Sequence, residues 1–321
     1  MARYILKRLA ESLVVCWAIS LVVFVGVYQI GDPVALLVPP EAGQAALEAV
    51  RAELGLDRPL HEQYLRFAWN LLHGNLGESF VFRQSAVVVI VERFPATFEL
   101  AFCAMALATV IGIPLGLLAG AYPDTWIDRV ITLGSVLGFS LPTFWVGILI
   151  IFLFSVELGW FPASGRGPTV AVLGVQLSVF TLEGLRHLAL PALNLALFPM
   201  GFIVRLTRSG MREAMGLDFT RFARAQGNSA GAVVRHYVLK YISIPIVTLI
   251  GLYFGILIAF AVVTESVFAW PGMGKLIIDS INRLDRPVIV AYLMVTVFII
   301  VLLNLIVDLV YLLLDPRVRL D

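Results

Sequence analysis

The chain of 321 residues is 60% hydrophobic and only 14% charged, with a net charge of +1 and a mean hydropathy of +0.93. Soluble globular domains carry about a quarter charged residues, so the composition points to a membrane protein and away from a soluble enzyme. A near-zero net charge offers no basic excess to neutralise phosphates, which argues against a nucleic-acid partner.

In chain order, Arg3, Lys7 and Arg8 precede an apolar run from Leu13 to Ile30. The run is too long for a signal-peptide core and no small-residue cleavage site follows, so it reads as a retained transmembrane helix. Six spans are expected, at about 10–30, 97–121, 130–157, 189–209, 243–268 and 288–314, each near the 20 apolar residues that cross a bilayer. Pro191, Asn194 and Pro199 interrupt the fourth. The apolar stretch Thr169–Leu182 is too short to be a seventh and reads as an interfacial or buried loop.

Between the first two spans lies segment 31–96, with five arginines against eight acidic residues from 31 to 95. Leu47, Val50 and Leu54 repeat at helical spacing before Gly55, and Tyr64, Phe67 and Leu71 form a second stripe. Two short amphipathic helices are predicted there. Seven basic residues lie in 205–240 (Arg205, Arg208, Arg212, Arg221, Arg224, Arg235 and Lys240), and Arg317 and Arg319 close the chain. The positive-inside rule places these regions and both termini in the cytoplasm, and 31–96 outside.

Gly112, Gly116 and Gly120 form a small-residue row suited to close helix packing. Of the ionisable groups near spans, Glu99, Glu157, Glu265 and Asp308 all fall close to span ends, which disfavours a midplane proton relay. Cys16 and Cys103 lie in apolar runs without a C-x-x-C partner and read as small buried hydrophobes. No catalytic constellation emerges. Gly274-Lys275 suggests a phosphate loop, but Ala269 and Leu276 break the required pattern. His61-Glu62 lacks a second histidine at position 65, and the four histidines are scattered, so no metal site and no cofactor are expected in this chain.

The stretch Asp218–Gly227 is basic and helical in pattern. Asp218 is placed to cap a short helix, Phe219, Phe222 and Ala223 fall at i, i+3 and i+4, Arg221 and Arg224 take another face, and Gly227 ends it. A lipid-bound interfacial helix and a plug for a partner's groove are both compatible with that pattern. "ARAQG" (223–227), with a proline 18 residues after Gly227, resembles the coupling-helix motif of ABC importer permeases of the dipeptide, oligopeptide and nickel branch. Gln226 stands where that branch usually has lysine. "LGLDRPLHEQYLRFAWNLLHGNLGES" (54–79), "RFPATFEL" (93–100), "FAWPGMGKLIIDSI" (268–281) and "NLIVDLVYLLLDPRVRL" (304–320) resemble further blocks of the branch, in the same order, and favour its first-permease type.

The resemblance implies an all-α polytopic membrane protein of six transmembrane helices with the type I importer permease fold. Its parts would be a helix at 1–30, an external region at 31–93, a permease core at 94–315 and a cytoplasmic tail at 316–321. It implies pairing with a homologous second permease. Two cytoplasmic ABC ATPases would hold ATP and magnesium and engage Asp218, Phe219, Arg221, Phe222, Ala223, Arg224, Ala225, Gln226 and Gly227. A periplasmic or lipid-anchored solute-binding protein would deliver the solute to an external mouth lined by Glu265, Trp270, Pro271, Gly272, Met273 and Gly274. Peptides are the first substrate choice; nickel chelates, opines, glutathione-like compounds and oligosaccharides are the alternatives within the family. A channel or secondary carrier is the other-class alternative, for which no filter loop, inverted repeat or midplane charge is found.

Overall fold

The computed structural model describes residues 2–28, 34, 43–53 and 55–314. Among the described residues the secondary structure is helical apart from one small hairpin and an isolated bridge between Glu78 and Ser85. Four helices among the described residues are long and apolar enough to cross a membrane: Ala86–Ala121, Leu182–Gly216, Ala230–Phe260 and Arg286–Ile306. A bent pair, Trp126–Ser140 and Thr143–Glu157, passes the same test only when its halves are taken together, and a shorter apolar helix covers Ala10–Gly26. The expected tail 316–321 lies outside the described residues, as does Leu54.

Residues 1–95 and 271–301 form one compact unit. Helix α1 (Ala2–Tyr28) meets α3 (Leu60–Leu72) through Phe24, whose ring lies 5.4 Å from Tyr64 and 5.7 Å from Phe67. Tyr64 and Phe67 of the expected stripe therefore face α1. Helix α2 (Gly43–Glu53) ends at Gly55, which takes a left-handed φ of 67° that a side chain would resist. Buried Asp285 gathers the turn at 79–81: it accepts from the Ser79 hydroxyl and from the Phe80 and Val81 N–H groups.

Residues 96–270 and 302–321 form the second unit. Its seam runs between α4 (Ala86–Ala121) and α7 (Leu182–Gly216). A Cβ on Gly112 would stand 3.0 Å from Ile203 Cγ2, on Gly116 2.5 Å from Thr207 Cβ, and on Gly120 2.6 Å from Met211 Cβ. The glycine row is thus the groove into which one face of α7 packs. Helix α5 (Trp126–Ser140) lies against the same helix, where Gly201 leaves room for the Ser135 carbonyl.

The expected span 130–157 is not one helix. α5 stops at Leu141, and α6 (Thr143–Ile150), extended by π-helical turns over Ile151–Glu157, leaves at 109° to it. Pro142 is the cause. It has no N–H to continue the ladder, and it forces Leu141 into an extended conformation (φ −84°, ψ 141°). Conversely, Pro191 and Pro199 do not interrupt α7, which runs unbroken for 35 residues; packed neighbours can absorb a missing bond inside a bundle. Segment 158–181 carries a hairpin of β1 (Val170–Val172) and β2 (Val175–Leu177), closed by Leu173 and Gly174, both at positive φ.

Candidate functional site

α7 ends at Gly216, and α8 (Asp218–Ala225) begins after a single extended residue, Leu217 (φ −79°, ψ 155°). The corner is fixed by Thr220. Its buried hydroxyl donates to the Ala214 carbonyl at 2.8 Å and the Leu217 carbonyl at 2.7 Å. Asp218 does not cap the helix as expected: Leu217 occupies that position, and the Asp218 carboxylate sits in the first turn, where it faces the positive end of the helix dipole. The helix ends in a Schellman motif. The Gly227 N–H reaches the Arg224 carbonyl at 2.9 Å and the Asn228 N–H the Ala223 carbonyl at 3.2 Å, with Gly227 at φ 84°.

The expected grouping of Phe219, Phe222 and Ala223 on one face is corrected. Ala223 is fully buried, and Phe219 is half-buried, packed on a core of Met211, Ala214, Val238, Ile242 and Ile246 with its ring 5.8 Å from Tyr241. Phe222 points away and is 63% exposed. Arg221, Arg224, Ala225, Gln226 and Gly227 are exposed with it. Helix α9 (Ala230–Val233), its π-helical continuation Val234–Val238 and α10 (Leu239–Phe260) return the chain. The Tyr241 hydroxyl donates to Glu213 at 2.6 Å and ties α10 to α7.

Sequence reasoning missed the ion cluster ten residues before α8. Asp128, 3% exposed, accepts from Arg208 Nε and, at 2.8 Å, from Arg208 Nη2; Arg212 Nη2 reaches it at 3.3 Å and Asp124 at 3.2 Å. Two donors on one side chain bound to two oxygens make a planar, directional pair. It joins the start of α5 to the end of α7. The only signal available was the spacing of Arg208 and Arg212, which puts both on one helix face.

The residues expected at an external mouth are placed inward. Glu265 is fully buried and accepts from the Thr97 hydroxyl at 2.6 Å; Trp270 is fully buried and its indole N–H donates to the Ala96 carbonyl at 2.9 Å. Arg166, which the sequence did not single out, lies over the Trp270 ring and donates to Glu99 Oε2 at 2.6 Å, while the Ser178 and Val179 N–H groups donate to Glu99 Oε1. Glu99, Glu265 and Trp270 therefore fasten segment 158–181 and the turn after α11 (Val262–Val267) within this chain. Gly272, Met273 and Gly274 are also buried, at the start of α12 (Met273–Asn282), and Pro271 is half-buried.

Residues 112–320 match the model of the binding-protein-dependent transport system inner membrane component family, and residues 1–101 match the N-terminal model of binding-protein-dependent transport membrane components. The chain belongs to this family. Among similar members of the permease family, the "Probable D,D-dipeptide transport system permease protein DdpB" of Escherichia coli K12 is 41% identical over 94% of this chain and 95% of its own. The dipeptide transport system permease protein DppB of the same organism is 37% identical over 99% of both chains. A chain of the MetNI methionine ABC transporter in an inward-facing conformation matches the fold, with a TM-score of 0.55 over 71% of this chain and 96% of that one, at 17% identity. A member of this permease family is a transport component, not an enzyme.

Proposed function

We propose that this chain is one of two homologous permease subunits of an ATP-driven importer of short peptides, and that α8 is its coupling helix. ATP and magnesium are held by two cytoplasmic ATPases, and a solute-binding protein delivers the peptide on the opposite face. The peptide assignment is supported by the names of relatives that match along nearly the whole chain. The coupling role is carried by one observation: a short helix locked to α7 by Thr220 presents a 63% exposed phenylalanine flanked by arginines. Large aromatics exposed in isolation but seated in a partner's pocket dominate interface energies. Closing of the ATPase dimer would displace α8. Displacement passes to α7 without slack, because a single residue separates the two helices and the Asp128–Arg208 pair carries it on to α5.

Phe222→Ala in the assembled transporter tests this. Losing a buried interfacial aromatic costs about 2 kcal/mol, or about thirtyfold in affinity, so the ATPase should wash off on co-purification and peptide-stimulated hydrolysis should fall with it. Normal association and stimulated hydrolysis would remove α8 as the coupling element.

A further inference from the structure

Segment 31–95 is acidic on balance, yet its arginines are not spread evenly. A cleft of about 270 Å³ in the first compact unit is lined by Arg58, Arg66 and Arg286 against a single acid, Glu62. Glu62 does little to neutralise them. Its Oε2 lies 3.8 Å from Arg58 Nη1, with both side chains about half exposed, a geometry worth little. Arg66 makes no ion pair or hydrogen bond among the described residues. Its Nη1 stands 2.9 Å from where a Cβ on Gly55 would lie, and Gly55 is itself a lining residue. The guanidinium therefore reaches the wall of the cleft at a point that a side chain would obstruct.

The cleft also has an apolar side. Phe24 belongs to the last turns of α1 and Val290 to the second turn of α13 (Arg286–Leu314); both line it, with Phe67 and Phe80. Those span residues put the cleft where the apolar core of a bilayer gives way to head groups, on the side of segment 31–96. Helix α3, which carries Arg66 and Phe67, points to lipid independently. Leu65, Trp69 and Leu72 fall at i, i+4 and i+7 and are 65, 64 and 81% exposed, while Tyr64 and Phe67 face α1. A helix with a bare apolar stripe, a tryptophan within it and charged residues beside it belongs in the interfacial layer.

Guanidinium forks pair with phosphate oxygens in two parallel hydrogen bonds, and the glycerol and upper acyl carbons of a lipid would cover the rings. With one carboxylate the lining offers little to an ammonium, which favours phosphatidylglycerol or cardiolipin over phosphatidylethanolamine. We propose that this cleft holds the head group of an anionic phospholipid, its phosphate on Arg66 and Arg58 and its chains running past Phe24 and Val290. The lipid would thereby pin α3 to the membrane surface.

The test uses the complete transporter, with its ATPases and solute-binding protein, in phosphatidylethanolamine liposomes holding a low mole fraction of radiolabelled phosphatidylglycerol. Benzoylphenylalanine replaces Asn70, a lining residue of α3. Illumination should attach label to this chain, and unlabelled phosphatidylglycerol should compete. Adding Arg66→Gln should cut the labelling about tenfold, the effect of losing a hydrogen bond to a charged group. Arg66→Lys keeps the charge but not the fork, so its loss should be smaller. Arg283→Gln removes an exposed arginine of the same unit that lies outside the lining, and labelling should persist. Labelling unchanged by Arg66→Gln, an equal loss in Arg283→Gln, equal capture of radiolabelled phosphatidylethanolamine at the same mole fraction, or attachment to the solute-binding protein would each overturn the lipid site. The comparison of the two lipids leaves every arginine in place, so it decides the matter even where Arg66→Gln fails to assemble.

Discussion

Asp128 is 3% exposed and bonded to two arginines of α7. Removing the buried carboxylate leaves the Arg208 and Arg212 guanidiniums, a quarter to a third exposed, without their acceptor, at a cost of about 1–3 kcal/mol. Asp128→Asn should therefore lower the thermal denaturation midpoint in detergent by several degrees. A double-mutant cycle with Arg208→Gln should show coupling, because both changes remove the same bonds; additive losses would mean the pair contributes nothing. Asp128 escaped the sequence reading for a physical reason. Its partner lies 80 residues away, and the pairing exists only once α5 and α7 are packed. The phenylalanines of α8 show a subtler limit. At about 100° per residue, Phe219, Phe222 and Ala223 fit one arc. The buried face, however, is centred between Ala223 and Thr220, because the Thr220 hydroxyl must reach two carbonyls of the corner. Phe222 is thereby turned out and Phe219 in.

The small-residue row was legible as a packing surface, but not what packs on it. The partner is α7, and the approach is close enough to test. Gly116→Ala would put a methyl carbon 2.5 Å from Thr207 Cβ and 2.7 Å from the Val204 carbonyl. Overpacking of this kind costs about 1–3 kcal/mol, so Gly116→Ala should lower thermal stability. Gly134→Ala, with nothing within 4 Å of the new carbon, should not. Equal midpoints for the two variants would mean that the α4–α7 seam is looser than described. Breaks were harder to read than spans. Three prolines look alike in the sequence, yet Pro191 and Pro199 sit inside a continuous α7 while Pro142 ends α5. What separates them is the surroundings. α7 is the most buried of the four long apolar helices, so packed neighbours surround its prolines, while the chain beyond Pro142 departs at 109°. The hairpin at 170–177 was read only as a loop, since three-residue strands carry too little alternation to see.

At the scale of the molecule, the family and the membrane class were legible from ordered motifs and hydropathy. The inward placement of Glu265 and Trp270 was not, because burial depends on Thr97 and Ala96, which lie more than one helix away in sequence. The distribution of Lys and Arg yields a topology that can be checked. In a variant with Cys16 and Cys103 replaced, a cysteine at Glu48 should react with an impermeant maleimide in intact cells, and one at Gln226 should react only after permeabilisation. Both positions are exposed in the chain. Reaction at 226 in intact cells would invert the orientation and remove α8 from reach of any ATPase.

The central claim is that α8 seats Phe222 in an ATPase. Photo-crosslinking measures it most directly. Benzoylphenylalanine at position 222 of the assembled transporter should attach to the ATPase subunit, and to a different degree with and without ATP. The same probe at position 219, packed on Met211, Ala214 and Ile242, should attach within this chain. Attachment of the position-222 probe to lipid alone, in every nucleotide state, would contradict the account and leave α8 as an interfacial helix.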